Sequence, residues 1–258
     1  MLVDSHCHLN YPKLVERQAE VLESARAAGV TGMLNISTRE REWGEIVATA
    51  EREPDVWASI GIHPHEADDH PEVDTARLVA AAAHPRVIGI GETGLDYYYD
   101  HSDRARQQAS FRAHIAAARE TGLPLIVHTR DAEADTYAIL TQEMGKGAFP
   151  ALIHCFTASA GFAEKVLALG LSISISGIVT FKNAKELQEI VRTIPEDRLL
   201  VETDSPFLAP VPHRGKPCEP AFVADTARFL ATLRGEAPEE LMEYTARNFF
   251  DLFTKARA

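Results

Sequence analysis

The chain has 258 residues, 45% hydrophobic and 25% charged, with a formal net charge of −12; this describes a soluble globular protein able to bury a sizeable core. No apolar run approaches the roughly 18–20 residues that a membrane crossing needs, so no membrane role is expected. The acidic balance argues against coating nucleic acid through clustered Lys and Arg, but it leaves room for one phosphodiester held at a metal site, where bound cations invert the local potential.

In chain order, β-branched and aliphatic runs occur at 2–6 (LVDSH), 32–37 (GMLNIS), 56–62 (VWASIGI) and 87–91 (VIGIG). They continue at 123–128 (LPLIVH), 151–156 (ALIHCF), 171–177 (LSISISG) and 199–204 (LLVETD). Helical patterns fill most of the intervals. The stretch 107–121 carries Phe111 and Ile115 and is stopped by Gly122. The stretch 184–194 spaces Leu187, Ile190, Val191 and Ile194 at i, i+3, i+4 and i+7, with Asn183 as its cap and Glu186 three residues on. A third pattern at 221–234 carries Phe222, Phe229, Leu230 and Leu233.

Eight strands alternating with helices in a chain of this length predict a (β/α)₈ TIM barrel of the α/β class, one domain over residues 1–258. The rival reading, a doubly wound open sheet, would show a glycine-rich phosphate loop after an early strand. Here the first strand ends in SHCHL, without glycine. No basic region, h-region or cleavage site marks a signal peptide. Three widely separated cysteines, Cys7, Cys155 and Cys218, suit a reducing cytosol better than a disulfide framework. A cytoplasmic protein with no obligate protein partner is expected.

Side chains alternate along a strand, so His6 and His8 point the same way, into the barrel mouth. Other strands end in Glu92, His128, His154 and Asp204. Any one of these has a bland reading as a structural histidine or a helix cap. Jointly they bring six potential metal ligands from five strands to the rim where barrel enzymes place their chemistry. Four imidazoles and two carboxylates exceed one tetrahedral site with an open position. The set divides into His6, His8, Glu92 and Asp204 for one divalent ion, and Glu92, His128 and His154 for a second, with Glu92 bridging. One layer deeper on the same faces, Asp4 and Glu202 either accept the second ring N–H of a ligand histidine or make hydrogen bonds internal to the barrel.

The segments SHCHL (5–9), GIHPHEA (61–67), IGETGLDYYY (90–99), LIVHTRDA (125–132), IHCFT (153–157), VETDSPFLAPVPHRGKPCEP (201–220) and RNFFDLF (247–253) span the whole chain. Together they make the sequence resemble the TatD family of metal-dependent deoxyribonucleases, within the amidohydrolase-like barrels. It departs from the family pattern, as we read it, at Thr93 and Cys218. The resemblance implies a phosphodiesterase that binds two divalent ions, with ligands at the same six positions. Histidine-rich ligation suits Zn, Mn or Co better than Mg, while Mg and Mn are usual for the resembled family. The implied substrate is nucleic acid, in particular single-stranded DNA ends, attacked exonucleolytically by a hydroxide bridging the metals. Asp204 and Glu92 are then the catalytic carboxylates, with Asp204 accepting the proton of water.

His63, Arg130 and His213 are the expected substrate contacts, because phosphate recognition favours such groups. Arg214 and Lys216 read rather as a solvated loop. Asp96 either orients a ligand or closes a turn. Tyr97, Tyr98 and Tyr99 could offer a base a stacking face, though not all three together; Phe181 or Phe207 could do the same, but core packing is their first reading. His70, His84, His101 and His114 read as surface residues. Two alternatives remain. One is a binuclear hydrolase acting on a carbonyl substrate such as a lactone, amide or aminoacyl ester. The other is a non-catalytic metal-binding protein, against which the complete ligand set argues.

Overall fold

The apolar runs form eight parallel strands: β1 (Leu2–Cys7), β2 (Val30–Asn35), β3 (Val56–Ile60), β4 (Val87–Asp96), β5 (Leu125–Arg130), β6 (Ala151–Ile153), β7 (Ser172–Ile175) and β8 (Leu199–Val201). They are hydrogen-bonded in sequence order in the computed structural model, which describes residues 1–257. Helices alternate with them: α1 (Gln18–Ala27), α2 (Trp43–Arg52), α3 (Thr75–Ala82), α4 (Arg104–Thr121), α5 (Glu133–Met144), α6 (Ala160–Ala168), α7 (Lys185–Thr193) and α8 (Val223–Arg234). A ninth helix, α9 (Pro238–Leu252), follows. Among the described residues no helix is long and apolar enough to cross a membrane.

The predicted (β/α)₈ barrel is the observed fold, nearly closed. The seam between β1 and β8 is thin. It consists of a parallel bridge between Cys7 and Ser205, with the His8 N–H donating to Ser205 O (2.8 Å) and the Asp204 N–H to His6 O (2.9 Å). Lower down, the Ser5 hydroxyl donates to Val201 O at 2.9 Å. The backbone that closes the barrel therefore also carries His6, His8 and Asp204.

Alternation along the strands builds two cores. Outward side chains pack on the helices, while inward ones such as Val3, Leu34, Ile88, Ile126 and Leu200 fill the barrel. The lower end of this inner core is occupied by Phe249 and Phe253, both fully buried, from α9 and the turn after it. Asn248 anchors that helix by donating to the carbonyls of Glu196 (2.6 Å) and Leu199 (2.9 Å), at the start of β8.

Three strand boundaries differ from the sequence expectation in ways that shape the site. β6 and β8 stop at Ile153 and Val201, so His154 and Asp204 stand on backbone beyond the ladder. β4 runs past Glu92 to Asp96 and bulges, its register with β5 shifting between Ile90 and Thr93. Gly91 and Gly94, at φ +139° and +135°, permit this. A Cβ at either position would collide with the β5 backbone at Ile126 or His128. At the helices, Gly122 ends α4 as expected, left-handed at φ +71°. Asn183 does not cap α7, which starts at Lys185 with no side-chain cap, the preceding chain being held instead by an Ala184 N–H to Phe181 O turn.

Candidate metal centre

The structure brings all six predicted ligands together around Glu92, which is buried. Its two oxygens face two different nests. Oε2 lies 3.3 Å from His6 Nε2 and 3.8 Å from His8 Nε2. Asp204 Oδ1 completes that side, 3.4 Å from His8 Nε2 and 3.7 Å from His6 Nε2. Oε1 lies 2.7 Å from His154 Nε2, 3.1 Å from His128 Nδ1 and 3.4 Å from His63 Nε2. Within the nests, His6 Nε2 and His8 Nε2 are 3.3 Å apart, and His154 Nε2 and His128 Nδ1 are 3.4 Å apart. Imidazole nitrogens so close in a buried site repel unless a proton or a cation lies between them. Neither Lys nor Arg neutralises the two carboxylates from within either nest. This donor set of four imidazoles and two carboxylates fits divalent cations of the Zn, Mn or Co type.

Electrostatics match the geometry. Burial alone would raise the Glu92 carboxyl, but His154, His63 and His128 outweigh it and hold Glu92 well below the usual carboxylate range. Asp204 is half-buried, and although desolvation would raise its pKa, His8 and His6 keep it lowered. Burial lowers the His6 pKa, reinforced by His154. At His154 burial is overcome by Glu92 and Glu202, which raise its pKa well above the ordinary value. Asp204 adopts φ +57°, a left-handed conformation that Asp tolerates better than most residues. Its N–H bond to His6 O holds it there.

Behind the nests, Asp96 contacts both a predicted ligand and its own turn. Its Oδ2 lies 3.1 Å from His128 Nε2, and its Oδ1 accepts the N–H groups of Tyr98 (3.0 Å) and Tyr99 (2.9 Å). Glu202 Oε1 lies 3.4 Å from His154 Nδ1, and its other oxygen accepts the Ser174 hydroxyl. His6 stacks on His154 at 3.9 Å, and these two rings converge with Glu202 on one buried point. Asp4 takes the second of its two readings. It accepts the Thr203 N–H (2.9 Å) and the His6 N–H (3.3 Å) and bonds the Thr203 hydroxyl (2.6 Å), fixing backbone rather than a ring. Burial pushes its carboxyl up to about 8.

A cavity of about 640 Å³ opens over the centre. His63 and Arg130 line it. His63 Nδ1 accepts the His65 N–H at 3.1 Å, which leaves its proton on Nε2. Burial lowers its pKa to about 4, so this is a neutral donor facing the centre. His213 does not reach the cavity. Its Nε2 pairs with Asp225 at 3.0 Å, and its ring lies flat on Phe222 at 3.8 Å. Arg214 covers Phe181 at 3.6 Å.

One more histidine reading and one phenylalanine reading change. His114 is buried, donating from Nδ1 to Ser110 O (2.7 Å) and accepting the Ile62 N–H at Nε2 (2.9 Å). Phe207, expected in the core, is half exposed. Cys155 also lines the cavity. Missed altogether were Tyr11 and the Arg39–Glu66 pair (2.5 Å), also on the cavity wall. Their signal was position, since each lies in a loop just past a strand end, where the barrel rule puts the mouth.

A family model described as TatD related DNase matches residues 3–254. The uncharacterized metal-dependent hydrolase YcfH of Escherichia coli K12 is 47% identical over 255 residues, covering 98% of this chain and 95% of that protein. A protein of Pantoea vagans named 3'-5' ssDNA/RNA exonuclease TatD is 36% identical over 260 residues, covering 97% of this chain and 100% of that protein. Among solved structures, YjjV, a TatD homologue from E. coli K12, superposes with a TM-score of 0.91 at 27% identity, covering 98% of each chain.

Proposed function

Since this chain belongs to the TatD family of metal-dependent hydrolases, we propose that it hydrolyses phosphodiester bonds at single-stranded DNA ends, using two divalent ions. The observation that carries the reading is the division of Glu92 between two nests, Oε2 toward His6, His8 and Asp204, Oε1 toward His128 and His154. A carboxylate so placed could hold an ion on each side, and two ions would supply the charge stabilisation suited to in-line displacement at phosphorus. The name of the Pantoea relative, an exonuclease on single-stranded DNA and RNA, supports the substrate class.

Mg, Mn or Zn held by these residues would acidify the attacking water and neutralise charge on the phosphoryl oxygens. The chain's own residues do the rest. Asp204, kept ionised by His8 and His6, accepts the proton of the attacking water on its carboxylate. Glu92, held ionised by its imidazole neighbours, spaces the two nests. Neutral His63 directs its Nε2–H at the centre, where it donates to a phosphoryl oxygen, and Arg130 on the rim attracts the phosphate. Asp96 sets the ring of His128.

The test is digestion of end-labelled single-stranded DNA with Mn²⁺, with Mg²⁺ and with chelator, beside Asp204→Asn. Chelator-sensitive cleavage that falls about 10²–10⁴-fold in the variant is expected. Near-normal turnover by Asp204→Asn would remove that residue from the chemistry. Turnover confined to lactones or esters, with metal bound, would move the reaction from phosphorus to carbon.

A further inference from the structure

Apart from Met1, the exposed large hydrophobic side chains among the described residues are Val15, Tyr98, Tyr99, Phe207 and Val211. All lie in loops that follow β1, β4 or β8, on the face of the metal centre. Phe207 is 50% exposed and lines the cavity. It stands edge-on to His8 at 6.4 Å and to Tyr11 at 6.1 Å. Tyr11 is itself fixed, stacked on His8 at 4.6 Å with its hydroxyl 2.8 Å from Thr38 Oγ1. The Phe207 ring is therefore held by T-shaped contacts beside the nest of His6, His8 and Asp204, while half of its surface is left to solvent.

A second aromatic group flanks the other nest. Tyr99 stacks on His101 at 5.3 Å and meets His65 edge-on at 5.4 Å. The Arg130 guanidinium lies 4.0 Å from the Tyr98 ring and 4.9 Å from the Tyr99 ring. Held by ring faces rather than by a carboxylate, Arg130 keeps its charge available to an anion. A ring face beside the scissile position, with a guanidinium on aromatic rings across the cavity, complements a chain that alternates flat bases with phosphates. A lipid surface would call for a continuous apolar patch, whereas this cavity alternates rings with His, Arg and carboxylate groups.

We propose that Phe207 is the stacking face for the unpaired base adjoining the scissile phosphodiester, and that Tyr98, Tyr99 and Arg130 hold the neighbouring nucleotide, so that the site selects unpaired strands by base stacking rather than by base identity. This rests on the phosphodiesterase reading and adds its substrate rule. A paired base is held in plane by its partner and stacked on its neighbour, so it cannot swing onto Phe207 without unpairing, whereas an unpaired base does so freely.

The experiment compares two short single-stranded oligodeoxynucleotides in Mn²⁺, one normal and one with abasic residues on both sides of the cleaved bond. Wild type, Phe207→Leu and Phe207→Trp are assayed on each. For the normal strand, Phe207→Leu should raise KM about 5- to 150-fold, the range of base–aromatic stacking on truncation, with kcat much less affected. Phe207→Trp should restore the low KM. On the abasic strand wild type should already show the high KM, and the two losses should not add. Equal losses on both strands, or an unchanged KM for Phe207→Leu on the normal strand, would overturn the proposal. If wild type cleaves neither strand, the phosphodiesterase reading fails. Quenching of 2-aminopurine placed at the strand end then decides the platform separately. Quenching lost in Phe207→Leu and kept in Phe207→Trp sustains it, and quenching alike in all three proteins, or in none, rejects it.

Discussion

Glu202 has no outlet to solvent and, among the described residues, no Lys or Arg beside it; its neighbours are Ser174, His154 and, across the stacked rings, His6. A buried carboxylate so placed fixes ring orientation and makes a ligand imidazole a better donor to a cation. Glu202→Gln should therefore weaken Mn²⁺ or Zn²⁺ binding about 10- to 100-fold by calorimetric titration. Undiminished affinity would reduce Glu202 to barrel packing. At this scale the sequence spoke clearly where strand alternation governs. His6 and His8 face one way, as period two requires. It was silent where a loop decides. His213 and Phe207 sit in one irregular segment, and nothing in its composition says that the histidine turns to Asp225 while the phenylalanine turns to the cavity. His114 shows the same limit on a helix, because a polar residue in an apolar stripe is revealed only by its partners, Ser110 and Ile62.

Among the elements, the β1–β8 seam joins structure to chemistry most directly. Few backbone bonds close it, and they come from His8 and Asp204 themselves. An ion held by His6, His8 and Asp204 would tie the first strand to the segment after the last. Saturating Mn²⁺ at about 100 times its Kd should add about 2.7 kcal/mol, or roughly 5–10 °C in Tm for a chain of this size. The amides of His8 and Asp204 should gain the most hydrogen-exchange protection. Protection rising uniformly across the barrel would argue against a local staple. The eight strands were legible because each carries its own apolar run, and helices α4 and α7 because their apolar faces repeat at helical spacing. The β4 bulge was not. VIGIGETG reads as a plain strand end, and only pairing with β5 shows that Gly91 and Gly94 let the chain run on to Asp96.

For the whole molecule, α9 matters more than its place after the repeating units suggests. RNFFDLF read as a family segment, yet its phenylalanines enter the inner core beneath Ile88, Ile126 and Leu200. A ninth helix has no slot in a pattern of eight strand–helix units, so periodicity alone could not direct it inward. Phe249→Ala should cost about 3–5 kcal/mol in urea unfolding while leaving metal affinity intact, since the centre lies at the opposite end. A fall in metal affinity as large as the fall in stability would mean that the floor and the mouth are coupled.

That floor also sets an order of events during synthesis. A ribosome delivers β1 through β8 before it delivers Phe249 and Phe253. At about 5–20 residues per second, the nascent chain spends several seconds with every strand made and the bottom of its inner core uncovered. Until α9 emerges, the apolar lining of Val3, Leu34, Ile88 and Ile126 is open from below. Assembly of the barrel is thus finished from its far end of the sequence, and a stalled chain lacking α9 is the form that chaperones would be expected to hold.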